Sequence, residues 1–227
     1  NIGSVENKGL EITLGGDILT GNLKWNSGFN LSFNRSKVID MGDDLKMPFT
    51  TYHMDDGLMY LVVGKPFGQM YGWKYLGTWK ESERADAAVF GQLPGDPRYA
   101  DTNKDDAIDI NDLTEIGNSS PKSVFGWSNQ FAFKNFELSI LLQGTYGNDI
   151  FNQLRVSVDG GGWQDGTGMA LLDRWTTANQ DTDVPAFIDN ATRESYNYPD
   201  KVNDVDSRTS RWVEDGSYLR LKNLTLA

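Results

Sequence analysis

The fold is decided by the stretch Trp25-Asn26-Ser27-Gly28-Phe29-Asn30-Leu31-Ser32-Phe33-Asn34. In an extended chain its odd-numbered residues, mostly large and apolar, point to one side, while Asn, Gly and Ser point to the other. Strict alternation over about ten residues matches a β-strand that crosses a bilayer at a tilt. The stretch therefore predicts one transmembrane β-strand.

The same alternation recurs in four other parts of the chain. They are the element from Gly9 to about Leu19, the stretches Phe125 to Phe133 and Phe136 to Leu142, and the segment from Tyr218 onward. The pair Lys134-Asn135 between two of these stretches predicts a hairpin with a tight turn. A bacterial single-chain barrel needs at least about eight strands to close, against the roughly five of membrane length counted here. The missing strands are expected to lie outside this chain.

Two long stretches separate the alternating elements. Residues 38–93 have blurred periodicity and are interpreted as an outer loop with short strands, and residues 149–216 are rich in Gly, Asn and Asp. Loops of this length are uncommon in compact soluble domains, whereas outer-membrane barrels combine short periplasmic turns with long extracellular loops. The sequence predicts an all-β fold, a portion of an antiparallel transmembrane β-barrel with long extracellular loops.

Composition excludes several classes of protein. Hydrophobic residues make up 38% of the 227-residue chain, and no apolar run reaches the roughly 18 residues that a membrane-spanning helix needs. The net charge of -11 argues against binding to nucleic acid or to an anionic lipid surface, because both require positive patches. Asn1 is not followed by a basic region and an apolar core, so the start of the exported protein is expected to lie outside this chain.

Four stretches resemble the SusC/RagA family of TonB-dependent outer-membrane transporters, in the family's order. They are Asn1 to Glu11, Gly95-Asp96-Pro97-Arg98-Tyr99-Ala100-Asp101, Asp173-Arg174-Trp175-Thr176, and Tyr218-Leu219-Arg220-Leu221-Lys222-Asn223-Leu224. The resemblance covers residues 1–227 and implies the C-terminal part of a barrel of about 22 strands, located in the cell outer membrane. The N-terminal plug, the segment that contacts TonB, the earlier strands and the final strands would lie outside this chain.

The resemblance also implies a function. Members of the family import large nutrients, oligosaccharides or peptides, together with a SusD-like surface lipoprotein that acts as a lid, and they are energised through TonB. Such gated transport involves no covalent chemistry. The only histidine, His53, is interpreted as a solvated surface residue, and no pairing of a nucleophile with a base can be proposed. The sequence predicts a transporter and not an enzyme.

The acidic stretch from Asp101 to Asp112, within an expected extracellular loop over residues 95–120, has the spacing of a calcium-binding loop. Oxygen-bearing side chains occupy loop positions 1, 3, 5, 9 and 12, and a carbonyl occupies position 7: Asp101, Asn103, Asp105, Asp109, Asp112 and Ala107. These positions supply the ligands in EF-hand-type loops. Five aspartates and one lysine would repel one another without a cation. We expect a structural calcium ion.

This loop departs from the EF-hand pattern at two positions. Asp106 replaces the glycine of position 6, although aspartate tolerates positive φ better than most residues. Asp112 is shorter than the usual glutamate of position 12, as in dockerin loops. Leu113 and Ile116 are spaced for a short exiting helix ended by Gly117. The alternative to a calcium site is a solvated acidic turn.

Aromatic residues fall into two groups. Those on the alternating strands are expected to contact lipid or form an interfacial girdle: Trp25, Phe29, Phe33, Trp127, Phe131 and Phe133. Those in the loops are candidates for stacking on sugar rings, although packing between loops is the favoured role: Trp163, Trp175, Tyr196, Tyr198 and Trp212.

Two other classes of protein remain open at this point. A secreted β-sandwich module that binds carbohydrate or protein, with a dockerin-like calcium loop, would have similar strands and aromatic loops. A glycan-degrading enzyme would require two carboxylates across a cleft, and nothing singles out such a pair among the 32 acidic residues.

Overall fold

A computed structural model describes residues 3–49, 58–159, 168–186 and 208–227, which form two compact units. The sheet unit comprises Asn1–Gln69, Gly117–Ile150 and Glu214–Ala227, and the loop unit comprises Met70–Ile116 and Phe151–Val213. Within the described ranges, no helix is both long enough and apolar enough to cross a membrane.

The secondary structure is dominated by β-strands. They are β1 (Ser4–Thr20), β2 (Leu23–Asp40), β3 (Lys46–Phe49), β4 (Met59–Val62), β5 (Gln69–Gly72), β6 (Tyr75–Thr78), β7 (Pro97–Tyr99), β8 (Thr114–Asn118), β9 (Ser123–Phe133), β10 (Phe136–Tyr146), β11 (Asp149–Phe151), β12 (Val213–Asp215) and β13 (Tyr218–Leu226). The helices are α1 (Arg84–Val89) and α2 (Gln153–Asp159), with short 3₁₀ helices at Glu81–Glu83, Ile110–Asp112, Met169–Asp173 and Ser210–Trp212.

The sheet unit is built on a five-stranded antiparallel sheet with the order β1-β2-β9-β10-β13. These strands coincide with the five alternating stretches of the sequence, so the predicted strands are confirmed. The predicted turn between β9 and β10 is also confirmed, and Lys134 there has a φ of 53°. The connections from β1 to β2 and from β9 to β10 are both tight turns at the same end of the sheet.

Strand register collects the large apolar side chains on one side of this sheet, which we call the apolar face. They are Leu10, Ile12, Leu14 and Leu19 on β1; Leu23, Trp25, Phe29, Leu31 and Phe33 on β2; Phe125, Trp127, Phe131 and Phe133 on β9; Phe136, Leu138, Ile140 and Leu142 on β10; and Leu219, Leu221, Leu224 and Leu226 on β13. The other side, the polar face, carries mainly Asn, Ser, Thr, Gln, Gly and charged residues.

Two irregularities in register keep the apolar residues on one face. In β1 the register shifts between Asp17 and Leu19, and in the pairing of β10 with β13 it shifts at Leu141/Leu142, where Lys222 is the extra residue of β13. A β-bulge inserts one residue and so reverses the side to which all following side chains point. The change from odd-numbered to even-numbered leucines in β13 is therefore compensated, and all four leucines share one face.

The loop unit packs around tryptophans. Trp73, Trp79 and Met70 are buried, and the indole Nε1 of Trp79 donates to Oε1 of Gln92 at 2.6 Å. Strand β6 pairs with β7, with Tyr75 opposite Tyr99. A polar loop sequence can thus form a small core of its own, because its aromatic residues bury large apolar areas.

The predicted helix after the acidic loop is wrong. Leu113 has an extended backbone (φ -62°, ψ 116°), and the following residues form strand β8, which lies beside β5. Thr114 and Ile116 are β-branched and favour a strand over a helix. The spacing of Leu113 and Ile116 fits both structures, so the spacing alone could not decide between them.

Candidate functional site

The apolar face has the dimensions of a membrane-contacting surface. Between Leu23 and Phe33 it extends over ten residue steps of about 3.3 Å, or roughly 33 Å along the strand. Strands of outer-membrane barrels tilt by about 35–45°, which converts this length into a height of roughly 25 Å, the height of the apolar band of such barrels. Many of these side chains are exposed, including Leu219 and Leu226.

Aromatic side chains mark both borders of the apolar face. Phe133 pairs with Phe136 at the end that carries the tight turns, and Phe33 lies at the opposite border, opposite Leu10. Rings at the two borders match the aromatic girdles of transmembrane barrels. The aromatic residues of the strands share the apolar face, and their contact with lipid stays a prediction.

A small polar cluster is set into the middle of the apolar face. Ser27 and Asn129 are cross-strand partners, and Asn129 is only 6% exposed. The indole Nε1 of Trp25 donates to Oδ1 of Asn129 at 3.0 Å, and Nε1 of Trp127 donates to Oγ of Ser27 at 2.9 Å. The two tryptophans supply hydrogen bonds to polar groups that hydrocarbon cannot satisfy.

The polar face carries a cavity of about 270 Å³ near the tight turns. Its polar lining consists of Asp17, Lys24, Asn26, Gln130, Glu137 and Ser139. Nδ2 of Asn26 donates to Oδ1 of Asp17 at 2.9 Å. Sequence reasoning missed this cluster, because alternation assigns each residue to a face but does not show that β2 pairs with β9.

The first half of the acidic loop wraps around Asp101. The carboxylate of Asp101 accepts hydrogen bonds from the backbone N–H groups of Lys104 at 2.6 Å, Asp105 at 3.3 Å and Asp106 at 3.0 Å. Lys104 and Asp106 both have a φ of 62°. The expectation that aspartate at loop position 6 accepts a positive φ is confirmed.

Asn103 and Asp105 join this half of the loop. Oδ1 of Asn103 accepts from the backbone N–H of Asp105 at 3.2 Å, and its Nδ2 donates to Oδ2 of Asp105 at 2.8 Å. Oδ1 of Asp105 accepts from the backbone N–H of Ala107 at 3.1 Å. The side chains of loop positions 1, 3 and 5 are thus held together by the backbone that connects them.

Asp109 and Asp112 form a separate arrangement at the short 3₁₀ helix. Asp112 is fully buried; its Oδ2 accepts from the backbone N–H of Asp109 at 3.0 Å, and its Oδ1 accepts from the backbone N–H of Thr102 at 2.7 Å. Asp109 caps the helix by accepting from the backbone N–H of Asn111 at 2.7 Å. In the described part of the chain, no three acidic or histidine side chains converge as a complete metal-binding group.

Trp73 anchors the acidic loop to the core of the loop unit. Its Nε1 donates to the backbone carbonyl of Asp109 at 2.9 Å, and its backbone N–H donates to the carbonyl of Arg208 at 2.9 Å. A Cβ atom at the neighbouring Gly72 would lie 2.0 Å from that Arg208 oxygen. Glycine at position 72 is therefore required by the close approach of two backbone segments.

Two of the stretches that carry the family resemblance, the one that begins at Gly95 and the one that begins at Asp173, contact each other in the loop unit. Gly95 has a φ of 91°, and a Cβ atom there would lie 2.7 Å from Cε3 of Trp175. The backbone N–H of Trp175 donates to the carbonyl of Val184 at 2.8 Å. Trp175 and Trp212 are both buried, which confirms packing as their role. The other candidates for sugar stacking, Trp163, Tyr196 and Tyr198, and also His53, lie outside the described residues.

Tyr75 is a half-buried titratable group of the loop unit with a perturbed pKa. Its hydroxyl donates to the backbone carbonyl of Asp183. Burial raises the pKa of Tyr75 well above its ordinary value, and the charge of Asp183 adds to this effect while Arg211 opposes it. Burial also lowers the pKa of Arg211. Tyr75 therefore stays neutral and acts as a structural donor.

The comparisons with known proteins all point to one group of outer-membrane proteins. TonB-dependent receptor P26 of Formosa agariphila is 35% identical over 236 residues, which cover 100% of this chain and 22% of that receptor. TonB-dependent receptor P3 of the same organism is 31% identical over 232 residues, with 99% and 22% covered. The chain thus spans about a fifth of the length of these relatives. No protein-family model matches the chain.

Solved structures show the same fold. A chain of the RagAB peptide transporter superimposes with a TM-score of 0.75 at 20% identity, over 99% of this chain and 22% of that chain. The RagAB peptide importer in its closed-closed state gives a TM-score of 0.70 at 22% identity, over 100% of this chain and 23% of that chain. The chain therefore belongs to the TonB-dependent receptors of the bacterial outer membrane, and it has the fold of a segment of the RagAB transporter chain.

Proposed function

We propose that this chain forms part of the barrel through which a large nutrient, an oligosaccharide or a peptide, is imported across the outer membrane. The observation that carries the proposal is the match, over the full chain, to proteins named TonB-dependent receptor. The polar face of the sheet would line the lumen, as in other transmembrane barrels. Transport would be gated and energised through TonB, with no covalent step.

A SusD-like surface lipoprotein is the proposed partner at the extracellular side. The proposal is supported by the structural likeness to RagAB, a peptide transporter, and by the resemblance of the sequence to the SusC/RagA family. The proposal names two chemical classes of nutrient, oligosaccharides and peptides, because none of the described residues is shown to contact a substrate.

Uptake by cells tests this function in the full-length receptor. Cells with and without the receptor gene would be given labelled oligosaccharides and labelled oligopeptides, before and after collapse of the proton-motive force. We expect one class to enter only when both the receptor and the force are present. The lipoprotein is tested separately by co-purification with the tagged receptor. Uptake that is indifferent to the receptor would contradict the proposal.

We also propose that the acidic loop holds a structural calcium ion through Asp101, Asn103, Asp105, the carbonyl of Ala107, Asp109 and Asp112. Support comes from the wrapping of the backbone around Asp101 and from the positive φ of Asp106. Asp101, Asp105 and Asp112 each accept hydrogen bonds on both carboxylate oxygens, and each carboxylate keeps acceptor capacity for a cation, because its two oxygens offer about four lone-pair sites. Calcium would stiffen the loop, with an affinity of about 0.1 to 1 mM as in extracellular modules.

Calorimetric titration of the full-length receptor tests the calcium site. We expect binding heat from the wild type and its loss in Asp101→Ala and Asp105→Ala. Asp86→Ala, which removes an acidic residue of helix α1 in the same unit, is the matched control and should bind as the wild type does. Equal heats in all four proteins would leave a solvated acidic turn.

A further inference from the structure

Three basic side chains point to the same side of the sheet as the apolar face. They lie just beyond the border of that face, at its extracellular end. That end is identified by the long connections 41–122 and 147–217, because the tight turns of such barrels are periplasmic. Leu10 and Phe33 form the last apolar pair, Lys8 and Arg35 form the next pair on the same face, and Lys37 follows opposite Glu6. We call Lys8, Arg35 and Lys37 the basic patch.

The height of the basic patch matches the headgroup layer of the bilayer. Arg35 and Lys37 stand two and four residues beyond Phe33, or about 7 and 13 Å along the strand. With the tilt of barrel strands, these distances become roughly 5 and 10 Å above the apolar border. The headgroup region adds about 5 to 8 Å on each side of the hydrocarbon. Long basic side chains can also bend toward this layer while their stems cover apolar surface.

The patch is positive although the chain as a whole is strongly negative. Among the described residues its acidic neighbours on this face are Glu6, whose carboxylate lies 2.9 Å from Nζ of Lys8, and Asp40, which lies opposite Ser4 beyond a register shift. The three basic side chains outnumber these two, and the Lys8 side chain remains 75% exposed. Across the ranges that the structure describes, Arg35 and Lys37 are exposed and form no ion pair. The net charge of -11 argues against binding to an anionic lipid surface only as an average over the whole chain. Register concentrates the basic side chains at one height, where the average does not apply.

We propose that the basic patch binds the phosphate group of an anionic lipid in the outer leaflet. Arg35 can hold a phosphate with two parallel N–H···O bonds, and Lys8 and Lys37 add positive charge on either side of it. The patch continues directly into the apolar face, so a lipid whose phosphate contacts Arg35 can lay its acyl chains on Leu10 and Phe33. A free phosphate ion would gain nothing from that apolar surface.

Lipid retention by the full-length receptor tests this proposal. The wild type, Arg35→Gln/Lys37→Gln and Lys24→Gln/Arg220→Gln would be reconstituted in phosphatidylcholine vesicles with or without phosphatidylglycerol, extracted in mild detergent, and examined by native mass spectrometry. The control pair removes the same charge from the polar face. We expect phosphatidylglycerol retention to fall about fivefold for each charge removed from the patch, and to be unchanged in the control.

Three outcomes would overturn the proposal. Equal retention of phosphatidylglycerol by the wild type and the patch variant would show that the basic patch is not the binding site. Equal losses of retention in the patch variant and the control variant would show that only total charge matters. Displacement of phosphatidylglycerol by inorganic phosphate would assign the patch to a free anion instead. Heat-modifiable mobility on gels shows beforehand that each variant has a folded barrel, so lost retention cannot be mistaken for misfolding.

Discussion

At the scale of single residues, Asn129 shows how a polar side chain is accommodated on the apolar face of the sheet. Its amide is buried beneath aromatic rings, Trp25 stacks on Phe131 with ring centroids 5.5 Å apart, and Trp25 also donates to the amide oxygen. Hydrocarbon offers no replacement for that donor. The tryptophan therefore has two roles, as an apolar side chain packed on Phe131 and as a hydrogen-bond donor.

Replacing Trp25 by Phe should destabilise the receptor by about 1–3 kcal/mol, because Asn129 would lose its donor. Removing the amide as well, in Trp25→Phe/Asn129→Leu, should restore much of this loss. The free energy of unfolding of the full-length receptor in lipid vesicles, measured by urea titration, checks both expectations. If the second substitution restores none of the free energy of unfolding lost in Trp25→Phe, the hydrogen bond to Asn129 is not what Trp25 contributes.

Leu138 and Ile140 test which face of the sheet meets lipid. Leu138→Arg or Ile140→Arg should cost about 2–4 kcal/mol near the bilayer midplane. Ser139→Arg is the matched control, because Ser139 lines the polar cavity beside Asp17 and Glu137 and a positive charge is acceptable there. The same vesicle unfolding assay applies, and a penalty for Ser139→Arg but not for Leu138→Arg would reverse the faces.

At the scale of elements, the bulge at Lys222 decides the orientation of β13. Deleting Lys222 should leave a regular strand in which Leu219, Leu221, Leu224 and Leu226 still share one face, so insertion into the outer membrane should remain near the wild-type level. Deleting Ser139 from the unbulged β10 should abolish insertion, because a one-residue slip turns half of the strand's apolar residues toward the lumen. Protease protection of the receptor in intact cells measures insertion, and equal losses for the two deletions would contradict the role of the bulge.

How far an element could be predicted depended on whether its signal was local. Alternation in β2, β9 and β10 predicted the strands and their two faces, because the period of a strand is a property of the segment itself. The bulges in β1 and β13 could not be predicted, since no glycine or proline marks Ile18 or Lys222. The pairing of β2 with β9 was also out of reach, because it joins residues that are distant in the sequence.

The acidic loop shows the same division between local and non-local signals. Its spacing predicted the loop and the positive φ of Asp106, since both depend on residues within one short segment. The donation from Trp73 to the carbonyl of Asp109 was not predictable, because it requires the fold of the whole loop unit. The exiting helix was predicted wrongly for a related reason, since pairing with β5 outweighed the local spacing.

At the scale of the whole molecule, the sheet unit and the loop unit should respond separately to removal of the proposed calcium ion. The sheet is stabilised by its own backbone ladder, so chelation should speed amide hydrogen exchange around residues 101–112 and 73, with little change in β9 and β10. Asp101→Ala should give the same pattern without chelator. Exchange that rises equally in both units would contradict their independence.

Membership of the TonB-dependent receptors replaces the two other classes that the sequence left open. A secreted sandwich module would bury the apolar side of its sheet, whereas here the apolar side chains of β13 are exposed and the relatives are outer-membrane receptors. Under the proposed function the residues of this chain would line a passage and hold its loops, which requires no cleft with paired carboxylates.

The order of the strands also has a consequence for how the molecule is made. Each of the two hairpins closes over a two-residue turn and can form within microseconds, whereas β2 and β9 meet across the long connection between Asp40 and Ser123. Until that late pairing occurs, the facing edges of β2 and β9 offer unpaired backbone groups to any neighbouring strand. Biogenesis of this segment therefore needs a period of protection, during which the hairpins are complete and the seam between them is still open.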